Sequence, residues 1–208
     1  MKKIVALMSL IVAVAGMAFA QQGSTANKCY VFTLNGVDCL QLSKKFMMKP
    51  PAGSIYDRVV KSGTNDFVMV EYTLYKKNKK IGYAYVENGK LSGVIIYEGE
   101  VLLANGFKLN GLLKDAFSLG NIDAEMYYDN MVDDYVYTVE FKGVKLGLSD
   151  FGLSDAGNKK QQELVIKQDK WSETADGSDQ PTEKLDARDF KEGCKVDYFC
   201  AGVCQLYW

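Results

Sequence analysis

The sequence predicts a mostly β fold: an antiparallel meander forming a sandwich or a barrel, with one or two short helices. One hairpin signature, a regular spacing of turn signals and two alternating apolar runs carry that reading. The signature lies in "KIGYAYVENGKLSGVIIY", where two runs rich in β-branched and aromatic residues meet at Asn88-Gly89. Asn-Gly is the favoured pair for a two-residue turn that needs positive φ at both central positions. Turn signals near residues 78, 88 and 99 continue the spacing expected of a meander. Farther on, Tyr135, Tyr137, Val139 and Phe141 oppose Thr138, Glu140 and Lys142, and Leu164 and Ile166 oppose Glu163, Val165 and Lys167.

The Asn88-Gly89 turn sets Glu87 opposite Lys90, Val86 opposite Leu91 and Tyr83 opposite Val94. Ile81, Tyr83, Tyr85, Val94 and Ile96 then share one face, and small or aliphatic residues share the other. With both faces apolar, this hairpin is expected at the centre of the sheet with a layer on each side. "FVMVEYTLY", ending at "KKNKK", should pair beside it, and "CYVFTLNGVDCLQL" reads as an N-terminal hairpin turning at Asn35-Gly36. Leu112, Leu113, Ala116 and Phe117 mark a short helix capped by Asn110 and ended by Gly120, and a second from about 123 to 131 is an alternative for "AEMYYDNM".

The chain divides into four parts: a signal peptide over 1–20, a β-rich domain over 21–167, a polar linker or long loop over 168–193, and a cysteine-rich end over 194–208 that docks on the domain. Lys2 and Lys3, the apolar run from Ile4 to Val14, and Ala18-Phe19-Ala20 have the three-part form of a secretory signal. Export to the periplasm, cell surface or exterior is expected, with Gln21 as the first mature residue. Past the signal no apolar run is long enough for a membrane-spanning helix, which disfavours membrane insertion. Of the 25 basic residues only Arg58 and Arg188 are arginine, and net charge is close to zero, which argues against nucleic acid as a partner. The chain has no histidine. Imidazole acid–base catalysis, His-assisted nucleophiles and His-ligated metals are therefore excluded.

Five cysteines are the disulfide candidates: Cys29, Cys39, Cys194, Cys200 and Cys204. The C-x5-C and C-x3-C spacings lack the paired knuckles of zinc sites, and an oxidising compartment favours disulfides. No metal or cofactor is implied. A turn at Asn35-Gly36 sets Cys39 opposite Phe32 and points Cys29 away, so the two should not bond each other. At least one of them is then expected to bond to the C-terminal cluster, stapling both ends of the domain together.

The remaining motifs are weaker. Trp208 closes an alternating segment in the manner of a membrane barrel, but several candidate strands are too short and a polar tract precedes the last. The near-duplication from Gly147 to Gly157 reads as a turn-rich connection. In "SETADGSDQPTE" Ser172 and Thr174 stand where a calcium loop needs carboxylates. Asp133-Asp134 and Glu98-x-Glu100 are acidic neighbours of the kind common at solvated turns. Tyr83, Tyr85, Tyr135 and Tyr137 are candidates for a ligand-stacking surface, against the alternative that such rings fill a β core. No catalytic residue emerges, and the balance tips away from an enzyme. The expected function is an exported, disulfide-stabilised binding or envelope component whose partner is a carbohydrate or another envelope protein. A carboxylate-dependent enzyme on extracellular polysaccharide and a small outer-membrane barrel are the alternatives.

Overall fold

The computed structural model describes residues 28–64, 69–174 and 180–203. The signal segment, its cleavage site, Cys204 and Trp208 lie outside the described residues. The strands are β1 (Tyr30–Thr33), β2 (Gly36–Val37), β3 (Leu40–Gln41), β4 (Arg58–Thr64), β5 (Val70–Lys76), β6 (Lys79–Glu87), β7 (Lys90–Ile96), β8 (Val101–Leu103), β9 (Ile122–Asp129), β10 (Asp134–Phe141), β11 (Val144–Ser149), β12 (Thr182–Lys184) and β13 (Lys195–Gly202). Helix α1 (Leu113–Ser118) follows β8, helix α2 (Asp155–Thr174) follows β11, and a single 3-10 turn (Ala187–Asp189) precedes β13.

The fold is mostly β, as expected. Nine strands form one antiparallel sheet in the order β12-β9-β10-β11-β13-β7-β6-β5-β4. It contains two meanders, β4 to β7 and β9 to β11, with β13 inserted between them and antiparallel to both. A second, four-stranded sheet has the order β3-β2-β1-β8, in which β1 and β8 run parallel. The large sheet ends in β12 and β4, so the described residues form no closed barrel.

Three hairpins owe their tight turns to paired positive φ values: Lys77-Asn78, Asn88-Gly89 and Lys142-Gly143. The N-terminal hairpin differs from the expected register. It turns at Leu34-Asn35, pairing Thr33 with Gly36 and Phe32 with Val37. Gly36 takes a φ of +113°, and a side chain there would overlap the Leu40 carbonyl of β3. Gly36 is therefore used for close strand approach, and the turn moves one residue upstream.

Three helix and strand assignments also change. Residues 123–131, open to a helical reading, form most of β9, because Ile122, Ala124 and Met126 alternate inward against β10. Leu164 and Ile166 belong to helix α2, not to a strand. The five-residue alternation is overruled by a 20-residue tract rich in Lys, Gln and Glu, good helix formers. Ser154 Oγ accepts the Gly157 N–H at 3.3 Å at its start. Residues 168–174, expected in a polar connection, complete this helix, and β12 and the 3-10 turn lie farther along the same tract. Helix α1 is where it was expected, but Leu112 occupies its N-cap, while Asn110 adopts φ +66° and donates its backbone N–H to Val196.

The main core lies between the inner face of the large sheet and a layer made of the small sheet, α1 and α2. Phe199 of β13 is fully buried, with its ring 5.7 Å from Phe32 of β1 and 6.4 Å from Phe107. Helix α2 is held differently. It buries Leu164 and Gly157, and a side chain at Gly157 would overlap the Asp189 carbonyl oxygen. Lys160 of α2 reaches the Asp189 carboxylate at 2.6 Å, which also accepts the Asp186 N–H at 2.7 Å. Asp189 is 1% exposed. Its removal strands the Asp186 backbone donor and takes the close carboxylate from a partly buried ammonium, which keeps only the Lys184 carbonyl at 2.8 Å and Asp186 at 4.0 Å. Asp189→Ala is expected to lower unfolding free energy by about 2–3 kcal/mol in urea denaturation. Lys184→Ala, which breaks exposed pairs to Asp123 and Glu125, should change it little.

Candidate functional site

The candidate site lies on the outer face of the large sheet, opposite the main core. Its composition follows from two irregularities, one in β7 and one in β6. The β6–β7 hairpin starts as its turn dictates, Glu87 opposite Lys90 and Val86 opposite Leu91. A bulge at Ser92 then sets Tyr85 opposite Gly93 and Tyr83 opposite Ile95 rather than Val94. Ala84, Val86, Val94 and Ile96 consequently point into the core, and Tyr83, Tyr85 and Ile95 point outward. A second register shift, between Leu74 and Tyr75, turns Ile81 inward and sets Lys80 opposite Tyr75. The shared face expected for Ile81, Tyr83, Tyr85, Val94 and Ile96 is thus split between two sides.

The outer face carries Tyr85, Ile95, Cys200 and Met69, all buried, bordered by Tyr83, Tyr97 and Tyr198. The Tyr83 and Tyr97 rings are 5.9 Å apart at 58°. Lys80 Nζ stands 4.2 Å above the Tyr83 ring centroid and 5.9 Å from that of Tyr97, and donates to the Tyr83 hydroxyl. Next to it the Arg58 guanidinium lies 3.9 Å over Tyr75. The hydrogen bond to Tyr83 pushes the Lys80 ammonium above its ordinary pKa, so it stays charged. Burial raises the Tyr97 hydroxyl against the opposing pull of Lys80, which keeps it a proton donor. Among the described residues neither cation has a carboxylate at ion-pair distance. Flat rings, phenolic donors and two cations suit stacking and charge-assisted hydrogen bonding. They supply no nucleophile.

The four tyrosines singled out from the sequence do not share one surface. Tyr83 and Tyr85 are outside, and Tyr135 and Tyr137 are on the inner side of β10 with Val139 and Phe141. Tyr135 packs edge-on against Tyr128 at 5.3 Å. Tyr137 lies 4.6 Å from Phe151 and accepts a hydrogen bond from Gln161 of α2. This inner pair is packing. Arg58, Tyr75, Lys80, Tyr97 and Tyr198 were not expected at the site. The alternation of apolar and polar residues hides them, because the register shifts in β6 and β7 decide their face.

The cysteine staple is overturned. Cys29, Cys39 and Cys194 are free thiols, so neither N-terminal cysteine is bonded to the other or to Cys194, Cys200 or Cys204. The N-terminal hairpin is tied down by pairing of β1 with β8 and by Phe32 against Phe199. Cys39 sits in the two-residue turn between β2 and β3, with Asp38 at φ +51°. Burial and the Asp38 carboxylate push its thiol up, against opposing hydrogen bonds from Ser54 and Tyr56. Burial, then Asp150 and Asp197, push Cys194 up to about 11. Neither is an activated nucleophile.

The acidic neighbours are engaged at turns. Asp133 accepts the Tyr128 hydroxyl, and Glu98 pairs with Lys79 at 3.0 Å. The Gly147–Gly157 repeat falls into two unlike settings, the end of β11 and the start of α2. In the calcium-loop look-alike Ser172 and Thr174 are helical, and Asp176 and Gly177 lie outside the described residues. Among the described residues no three His, Cys, Asp or Glu side chains gather at metal-binding distance, and no helix is long and apolar enough to cross a membrane. No protein-family model, curated protein or solved structure matches this chain.

Two measurements follow from the thiols. In native protein at pH 8, exposed Cys29 should react rapidly with an aromatic disulfide reagent, and Cys39 and Cys194 only after unfolding. The raised Cys194 pKa contributes stability that is fully present below the ordinary thiol value near 9 and is lost as pH climbs toward about 11. Denaturation midpoints should fall across that window, less steeply in Cys194→Val.

Proposed function

We propose that the protein is an exported binding component of the cell envelope, and that the outer tyrosine face is its ligand surface. Export rests on the three-part secretory signal at the N-terminus. One observation carries the binding role: Lys80 between Tyr83 and Tyr97, beside Arg58 on Tyr75, all on a sheet face away from the main core. Sugar rings offer apolar faces for stacking and hydroxyls for the phenols, and a carboxylate or sulfate substituent would complement the two cations. The ligand class is therefore an acidic polysaccharide.

Calorimetric titration of the mature protein with acidic and neutral oligosaccharides of equal length tests this. The acidic series should bind more tightly, with a preference that shrinks as salt rises. Tyr97→Ala and Lys80→Ala should each weaken binding about tenfold, equivalent to about 1.4 kcal/mol, and Tyr137→Phe should leave it unchanged. Equal binding of both series, or insensitivity to Tyr97→Ala, contradicts the assignment.

A further inference from the structure

The two cations of the tyrosine face stand in one row drawn across the strands. Arg58 of β4 is paired with Tyr75 of β5, and Tyr75 with Lys80 of β6. The row continues to Tyr97, whose backbone N–H donates to the Ile81 carbonyl at 3.0 Å. These residues follow one another at strand spacing, so Arg58 and Lys80, two strands apart, start from backbone positions about 10 Å from each other. The register shift in β6 that sets Lys80 opposite Tyr75 is what brings both charges into the same row.

Each cation is held by a ring. Arg58 lies 3.9 Å over Tyr75, and a guanidinium resting on a ring keeps its N–H fork for a planar carboxylate. Lys80 lies over Tyr83 and donates to its hydroxyl. Burial is the main cause that raises Tyr97, and the Tyr83 and Tyr75 phenols add to it, so the three hydroxyls lie near one another. The acids at this end of the sheet are engaged elsewhere. Asp57 accepts the Lys77 backbone N–H at 2.8 Å, and Glu98 pairs with Lys79 at 3.0 Å. The row therefore presents two separated positive charges with phenolic donors beside them.

An extended polysaccharide has a matching repeat. Each sugar advances such a chain by about one strand spacing, about 5 Å. Where successive sugars are flipped, substituents of alternate sugars project to the same side. Acid groups on the first and third sugars are then about 10 Å apart, the separation of the two cations. Acid groups on adjacent sugars point to opposite sides, so only one of them meets a cation. Resting on the reading of the platform as the ligand surface, we propose that the row from Arg58 to Tyr97 is a three-sugar subsite that reads charge spacing. The chain crosses the strands, with carboxylates of alternate sugars at Arg58 and Lys80 and the intervening sugar over the phenols. Arg58 is the residue that distinguishes this pattern from a single acid group.

Calorimetric titration of the mature protein with three trisaccharides of one extended backbone tests the spacing. They carry carboxylates on sugars one and three, on sugars one and two, or on sugar one alone. The first should bind about tenfold more tightly than the other two, the gain expected of one charge-assisted bidentate contact. The other two should bind alike. This comparison needs no variant to fold. Arg58→Ala should bring the first ligand down to the level of the third, and Tyr97→Ala should weaken all three. Equal affinity for the first two ligands overturns the spacing rule, as does an Arg58→Ala loss as large for the third ligand as for the first. If Tyr97→Ala still weakens binding in those cases, the platform itself stands. Failure of all three ligands to bind overturns both the subsite and the platform.

Discussion

The structure hangs on the position of β13 between β11 and β7. Neither meander contains a strand that pairs with the other, so without β13 the large sheet would be two separate sheets, each with an additional open edge. The same stretch of chain supports the layer above. Cys194 and Val196 accept the backbone N–H groups of Leu113 and Asn110, and Val196 donates to Gly111, so the entry to α1 is hydrogen-bonded to the sheet's central strand. Phe199, inserted against Phe32 and Phe107, brings the small sheet to the same point. Full burial of one such ring is worth about 2–3 kcal/mol, and its side-chain contacts reach parts of the chain more than 90 residues away. Closing such long loops to place a C-terminal strand last is entropically costly, which makes folding slow relative to either hairpin alone.

The candidate site is a by-product of how that sheet keeps its register. Bulges in β6 and β7 send alternate residues to different faces than strict alternation would, sorting aliphatic side chains inward and tyrosines outward. One side becomes a conventional core. The other gathers Tyr83, Tyr97 and Lys80 within 6 Å of one another, with Arg58 stacked on Tyr75 nearby. The platform is held by Tyr83 and Tyr75 on the interior strands β6 and β5, with Tyr97 directly after the end of β7, and rigid placement is what lets stacking outweigh the entropy of fixing a ligand.

Local features of the fold were legible in the sequence and long-range ones were not. The Asn88-Gly89 turn was legible because both residues must take positive φ, and they do. The β10 run was legible because its inner residues face a core on one side only. The register past Ser92 was not, since Gly93 is matched to the backbone of Val203, more than a hundred residues away. Helix α2 was misread because three consecutive aliphatics, Leu164 to Ile166, mimic a strand; only Leu164 is buried, and Ile166 is 55% exposed. The cysteine staple failed with the hairpin register on which it stood, and pairing of β1 with β8 fastens the N-terminus instead. Tyr83 and Tyr85 were legible as site candidates, but Lys80 and Arg58 become partners only through cross-strand neighbours that the sequence does not display.

Native-state hydrogen exchange tests the central role of β13 most directly. If β13 joins the two meanders, its interior amides should be among the slowest in the protein. They should share one opening free energy with β7 and β11, equal to that of global unfolding. Distinct opening free energies for the β4–β7 and β9–β11 meanders, with β13 exchanging faster than both, would contradict that account.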